Sequence, residues 1–430
     1  MVPPKNSNDS PLDVTLARPL CDQVFPRLWA FFLLVLVAVT WPLWVPLPSQ
    51  YPNIALLPWW HWQSTAGLAL QWSALAGLAS SGTLVALGVF KRFHAGLWWT
   101  VMGCLIALML TDQHRIQPWA YQSILYAGLF ATLGHRRDPS AKSWFVVITA
   151  SIYFYSSLGK FDYQFLHTVG DEFLSVSTAP LGGLPDTWRP WRTTLVAMMP
   201  ATEMTIALLV LFPRTRRVGG MAAMGLHATL ILILGPWSLN HSLGVLTWNV
   251  LLIIQAYLLM VRRPTQAHDE AHTGSGPRKN SGVWQVRVLV LAALIAPIGE
   301  RWGYWDHWPS WALYSPHNSR VDAEIHRSKL RELDDSLANC VQEDGDGDGW
   351  HELKLSQWSL DQRGAPIYPQ ARYQLALLAN LAERYEWGTG VRCKRRGVSD
   401  RWTGVRDESL HMGQREIQSA LKRYWLVPSG

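Results

Sequence analysis

The chain has 430 residues, 25 of them tryptophan, and a formal net charge of +7. Its average hydropathy mixes two populations, long apolar runs over 28–300 and a charged, mixed stretch over 301–430, which argues against one soluble domain because chains of this length usually split. The four cysteines, Cys21, Cys104, Cys340 and Cys393, form no CxxC, so neither a thioredoxin-type pair nor a zinc ribbon is encoded.

Apolar segments run over 28–47, 66–90, 95–111, 117–133, 144–159, 194–213, 218–236, 242–261 and 284–299. They predict an all-α polytopic membrane bundle of about nine transmembrane helices. The 27 residues before the first segment, with no small-x-small cleavage site after it, make that segment an anchor and not a secretory signal. Trp59, Trp60, Trp98, Trp99, Trp188 and Trp191 lie at the ends of apolar runs, as amphipathic rings in the headgroup layer do.

Lys and Arg give a direction. With residues 1–27 cytoplasmic, the inside segments hold Lys5, Arg18, Arg27, Lys91, Arg92, Arg136, Arg137, Lys142, Arg214, Arg216, Arg217, Arg262, Arg263, Arg278 and Lys279; outside loops before 300 hold Arg115, Lys160, Arg189 and Arg192. This asymmetry predicts an inner or plasma membrane protein with an odd number of spans and an outer, periplasmic or extracellular, C-terminal domain. The positive charge is thus a topology signal and needs no nucleic acid; the implied partners are membrane lipid and, at the outer domain, a protein partner or substrate. Residues 28–263 form the membrane domain, 264–283 a polar cytoplasmic linker, 284–300 the last span and 301–430 the outer domain.

In the outer domain, RVDAEIH (320–326) and WHELKLSQWSL (350–360) alternate like strands. PQARYQLALLANLAERYEW opens on Pro369 in a helix's first turn, and GQREIQSALKRYW (413–425) reads as a second helix. A small α+β layer follows. Cys340 and Cys393 on an oxidising side form either a disulfide or two buried thiols. Asp344, Asp346 and Asp348 match the first half of a calcium loop, but Leu355 occupies the twelfth position where a bidentate Glu belongs. An acidic hairpin turn fits this stretch better than calcium.

Titratable residues at membrane depth are costly and mark candidate sites. They are Asp112 and His114 after the third span, Lys160 and Asp162 after the fifth, Glu203 in the sixth, His227 in the seventh and His241 before the eighth. A desolvated Lys160 is a candidate base or amine nucleophile; the alternative is a lysine snorkelling to the headgroups beside Asp162. Glu203 and His227 are candidates for acid–base or relay roles, or for hydrogen bonds that hold helices together.

LTDQHRIQPWAYQ (110–122), SIYFYSSLGKFD (151–162), TEMTIALLVLFPRTRRVGGMAAMGLH (202–227) and the Leu-Gly at 234–235 occur in an order that resembles the membrane domain of the vitamin K-dependent gamma-carboxylase-like family, the horizontally transferred transmembrane domain. The resemblance covers about 95–240. It implies Lys160 as catalytic base, Glu203 and His227 as relay or orienting groups, Asp112, His114, Asp162 and His241 in support, and a lipophilic quinone or hydroquinone cofactor. Trp119 replaces a histidine expected after the Asp112 turn, and the large lumenal substrate-binding module is replaced by 301–430, so glutamate carboxylation itself is not implied. The alternative is an accessory membrane protein of the DoxX or MauE kind, acting through its outer domain. No inverted repeat supports a transporter.

Overall fold

The computed structural model describes residues 20–46, 50–56, 64–89, 94–133, 140–262, 281–343 and 345–424. Helices coincide with each of the nine apolar runs: Leu20–Val39, Thr65–Leu87, His94–Thr111, Pro118–Leu133, Ser140–Lys160, Arg192–Leu211, Arg216–Leu234, Leu243–Ala256 and Ser281–Ile295. Among the described residues four stretches are long and apolar enough to cross a membrane: Thr65–Leu87, Asp186–Leu211, Arg216–Leu234 and Leu243–Val261. Pro118–Leu133 shows why others fall short. At 16 residues it is about 24 Å long, and it is buried along almost every face. The first helix begins eight residues before the apolar run, at Leu20, and the last begins at Ser281, inside the expected linker. The rest of that linker, Trp59, Trp60 and Asp344 lie outside the described residues.

Local chemistry sets the ends. Ser64 Oγ accepts from Gly67 N at one end of the Thr65–Leu87 helix, and Gly88, at φ +67°, closes the other, where a Cβ is disfavoured. Inside the bundle, polar side chains join helices in place of hydrophobic pressure. Gln122 bonds Gln255 at 3.1 Å and accepts from Trp248 Nε1 at 3.0 Å, while Gln255 donates to Thr149 at 2.7 Å. Arg115 is fully buried and donates to Leu43 O, Gln71 Oε1 and Thr111 Oγ1. Leu70, Trp72, Phe154, Leu208, Val218 and Leu232 are exposed on helix surfaces, and an apolar surface of this kind indicates membrane association. Trp188 and Trp191 are exposed as well, but Trp98 is buried against Phe130 at 4.6 Å, a core residue and not an interfacial one.

The C-terminal part carries a five-stranded antiparallel sheet in the order β2-β3-β1-β4-β5, with β1 Arg320–His326, β2 Val341–Gln342, β3 Trp350–Leu353, β4 Val391–Arg396 and β5 Glu408–Met412. On β1, Val321, Ala323 and Ile325 face the core while Asp322 and Glu324 pair outward with Arg396 and Arg392. The expected strand over 350–360 stops at Leu353. From Leu355 to Arg363 the chain is helical, because Leu355, Trp358, Ser359 and Arg363 make one buried face at 3.6-residue spacing. The helices Ala371–Arg384 and Gly413–Leu421 match expectation.

Cys340 and Cys393 are separate free thiols, both buried. Cys393 is on β4 beside Ala323, and the Cys340 thiol contacts Asp361, so the disulfide is excluded in favour of two buried thiols. Burial, with nearby acidic groups, raises them to about 11 and about 12. The sheet's core also contains Tyr51 and Ile54, from the connection after the first helix. Arg363 donates to Pro42 O, Tyr51 O and Asn53 Oδ1, and Arg372 to Gln113 Oε1. The C-terminal part is therefore seated on the helical bundle through buried hydrogen bonds.

Candidate functional site

A cavity of about 290 Å³ lies between the bundle and the C-terminal part. Its walls are largely aromatic and aliphatic, including Trp119, Ile152, Leu226, Leu230, Trp248 and Leu252; Trp308, Leu313 and Tyr314 close it from the C-terminal side. Lys160, Glu203, His227 and His241 all line it.

Helix geometry explains the convergence. Ile152, Tyr153, Ser156 and Lys160 share one face of the Ser140–Lys160 helix by four- and seven-residue spacing. One turn away, Ser157 Oγ donates to Pro200 O at 2.6 Å, fastening this helix to the one that carries Glu203. The result is a buried ion pair: Lys160 Nζ is 2.5 Å from Glu203 Oε1 and 2.9 Å from Ser156 Oγ. Glu203 Oε2 is buried with no hydrogen-bond partner. The snorkelling alternative for Lys160 fails, since its side chain is only 6% exposed and is directed at Glu203 and not at Asp162.

His227 reaches the cavity from a helix whose Gly219, Gly220 and Ala223 are buried. A Cβ at Gly220 would lie 2.6 Å from Met260 Cβ, so glycine permits the close approach to the next helix. His227 Nε2 is 2.8 Å from Tyr153 OH, and Nδ1 is 2.8 Å from Asn249 Oδ1. Asn249 Nδ2 is committed to Val245 O, so the amide presents its oxygen to the imidazole. This assigns the neutral Nδ1–H tautomer, with Nε2 accepting from the tyrosine hydroxyl. His227 thus orients Tyr153 and makes no direct bond to the Lys160–Glu203 pair.

The remaining expected residues have other places. Asp162 caps the Tyr163–His167 helix through Gln164 N and pairs with Arg301 at 2.7 Å. Asp112 and His114 are at the junction with the C-terminal part. Asp112 caps the turn through His114 N and lies 3.5 Å from Arg363; His114 Nε2 bonds Pro366 O at 2.7 Å and its ring stacks on Tyr51. Burial lowers His114 to about 4, Asp112 and the Pro366 bond only partly opposing it. Burial also lowers His241, whose ring meets Tyr314 edge-on. The Asp348 carboxylate accepts from Trp350 N and Arg392, and Asp346 accepts from Asp348 N. These are turn and ion-pair roles, and the one three-ligand group among the described residues lies elsewhere.

Tyr153, Asn249 and Gln117 also belong to the cavity and were not singled out from sequence. Asn249 was detectable as a polar residue within an apolar run, and Tyr153 by its seven-residue offset from Lys160. No family model, curated protein or solved structure matches this chain.

Proposed function

We propose that this chain is a multi-pass membrane enzyme related to the gamma-carboxylase-like family, in which Lys160 and Glu203 form the acid–base centre acting on a lipophilic hydroxylated ring. The observation that carries this reading is the Lys160–Glu203 pair at 2.5 Å, placed at the polar edge of an apolar cavity with Glu203 Oε2 unpartnered. Such a pair is neutral overall, so moving its proton from Nζ to Oε1 changes a dipole and not a net charge. That is the easier change in a low-dielectric space. The freed amine is then a base, and Ser156 Oγ holds it in position.

The cavity fits the head of a hydroquinone. Its volume is near the lower bound of roughly 300 Å³ for small-molecule sites, Trp119 and Trp248 offer flat apolar surfaces, and Lys160 with Glu203 Oε2 would hold the ring hydroxyl. When bound, a hydroquinone supplies an ionisable hydroxyl and two electrons. Tyr153, oriented by His227 and Asn249, offers a second hydrogen-bonding group to the ring. Glutamate carboxylation is not proposed, because Trp119 fills the position where that chemistry has a histidine. An accessory role through the C-terminal part alone is disfavoured, because Trp308, Leu313 and Tyr314 form a wall of the same cavity.

The topology that accompanies this reading has nine spans, residues 1–27 cytoplasmic and the C-terminal part outside. Two of the four basic residues assigned outside, Arg115 and Lys160, are buried in internal bonds, which makes the loop asymmetry stronger.

The test uses the purified chain in lipid nanodiscs with a menaquinol-type hydroquinone, followed by ultraviolet absorbance. In air-equilibrated buffer, with dissolved dioxygen as the acceptor of the two electrons, wild type is expected to bind the hydroquinone and speed its oxidation by taking up the hydroxyl proton, and Lys160→Ala to abolish that acceleration while thermal unfolding shows a folded protein. Wild-type rates in Lys160→Ala, or no binding by wild type, would overturn the reading.

A further inference from the structure

Behind the wall that closes the cavity, three buried side chains meet: Glu300, His307 and His317. Glu300 lies in the 3-10 extension Ala296–Trp302 of the last bundle helix, and the two histidines belong to the turn-rich segment leading to β1. His307 Nδ1 is 2.8 Å from Glu300 Oε1, and His317 Nε2 is 3.1 and 3.0 Å from Oε1 and Oε2. The imidazoles meet edge-on at 4.9 Å, and one ligand atom from each residue lies within 4.8 Å of the other two. All three side chains are at most 8% exposed.

We propose that Glu300, His307 and His317 form a binding site for a divalent first-row transition-metal ion of the zinc class, which fixes the segment closing the cavity. Two imidazoles and a carboxylate suit zinc, whose bonds of roughly 2.0–2.2 Å place tetrahedral ligands roughly 3.3–3.6 Å apart. The Glu300–histidine separations need widen by only a few tenths of an ångström. Charge points the same way. Arg301, the adjacent cation, is committed to Asp162 at 2.7 Å, so the buried Glu300 carboxylate has only imidazoles for direct partners. A dication supplies the compensating charge that burial demands.

The location gives the site a purpose. Between the two histidines the chain bends through Trp311 and Tyr314, both non-glycine residues at positive φ, +59° and +55°, a conformation that persists only where its surroundings enforce it. Trp308, Leu313 and Tyr314 of this same stretch line the cavity. Gly159, the neighbour of Lys160, is packed so closely that a Cβ there would lie 2.7 Å from Ser315 Oγ and 3.4 Å from His317 Cε1. An ion held by Glu300 and both histidines would pin the lid to the end of the last bundle helix, against the helix end that carries Lys160. None of the three ligands lines the cavity, so the ion is assigned a structural role, and its presence does not depend on what the cavity binds.

The test needs no activity. The full chain, purified in detergent and stripped with EDTA, is titrated with Zn²⁺, desalted and analysed by elemental mass spectrometry, with thermal unfolding followed in parallel. One Zn²⁺ per chain and a raised Tm are expected, and the stripped protein loaded with Co²⁺ should show visible bands of an ion bound by nitrogen and oxygen without thiolate charge transfer. Glu300→Gln and the His307→Asn/His317→Asn pair should reduce zinc occupancy to below about one-tenth of wild type. The proposal is overturned if stripped wild type takes up neither ion, if the double variant still binds one equivalent, or if a thiolate band shows that Cys340 or Cys393 holds the cobalt. Should a variant fail to fold, the wild-type cobalt spectrum and stoichiometry decide.

Discussion

Arg363 Nη2 lies 3.5 Å from Asp112 Oδ2, with the two side chains only 2% and 0% exposed, at the seam where the C-terminal part meets the bundle. Arg363 also holds Tyr51 O and Asn53 Oδ1 and stands over the Tyr51 ring at 5.0 Å. Removing it takes the ion-pair partner from the buried Asp112 carboxylate and leaves only the more distant Arg115 charge. Arg363→Met is therefore expected to cost about 3–5 kcal/mol, and Arg363→Met with Asp112→Asn markedly less. Unfolding in mild detergent measures both; equal losses would mean that Asp112 does not depend on Arg363.

The Lys160–Glu203 pair separates folding from chemistry. Glu203→Ala strands an ammonium in an apolar cavity and should cost about 3–5 kcal/mol, whereas Lys160→Met with Glu203→Gln removes both charges and should recover most of that stability. The double variant is expected to fold yet oxidise no hydroquinone. Activity in the folded double variant would remove both residues from the chemistry.

His114 makes the seam sensitive to acid. Its Nε2–H donates to Pro366 O, and its buried Nδ1 has no hydrogen-bond partner for an added proton. The folded value of about 4 lies below the ordinary 6.5 because of burial, with Asp112 and the Pro366 bond raising it and Arg363 and Arg115 lowering it. A depressed histidine makes the unfolded chain bind more protons. Its contribution is therefore intact above pH 6.5, declines as pH falls from 6.5 towards 4, and is fully lost below that, a total of about 3 kcal/mol. The stability of wild type should fall more steeply across this window than that of His114→Leu, and parallel curves would refute the assignment.

Tyr153 and His227 share one hydrogen bond at 2.8 Å within the cavity wall. Tyr153→Phe leaves Nε2 without its donor, and His227→Leu leaves the hydroxyl without its acceptor, each expected to cost about 1–3 kcal/mol. Combining them should cost less than the sum, by about 0.5–3 kcal/mol of coupling, in a double-mutant cycle. Strict additivity would mean that the bond contributes nothing.

How much of this was legible in the sequence depends on the range of the signal. Each bundle helix is encoded by its own apolar run, so helices coincide with all nine runs. Lys160, Glu203 and His227 were found because a polar residue inside an apolar run is conspicuous, and tertiary packing then brought them to one cavity. Leu355–Arg363 was misread because WHEL alternates before the buried set Leu355, Trp358, Ser359 and Arg363 takes over. Strands β4 and β5 are not legible because VRCKRR and ESLHM are too charged and short to look like strands; β4 pairs with β1, whose Asp322 and Glu324 complement Arg396 and Arg392, and β5 pairs in turn with β4, where Glu408 meets Lys394 and Arg396. Glu300, His307 and His317 follow no ligand spacing, and only the turns at 303–317 bring them together.

Tyr51 and Ile54 leave the ribosome early, yet the core that buries them is completed by Ile417 and Leu421. At roughly 5–20 residues per second, the two ends of that core are made roughly 20–75 seconds apart. Early in this interval Tyr51 has His114 as its ring neighbour, Trp358 and Tyr373 reach it much later, and the last members of its core come later still, so its full seating is a late long-range event of synthesis. A chain that stops before β4 would keep Trp358 and Tyr373 against Tyr51 but lack Val391, Cys393, Ile417 and Leu421, so the core that seats the earliest connection on the C-terminal part would be left open on one side.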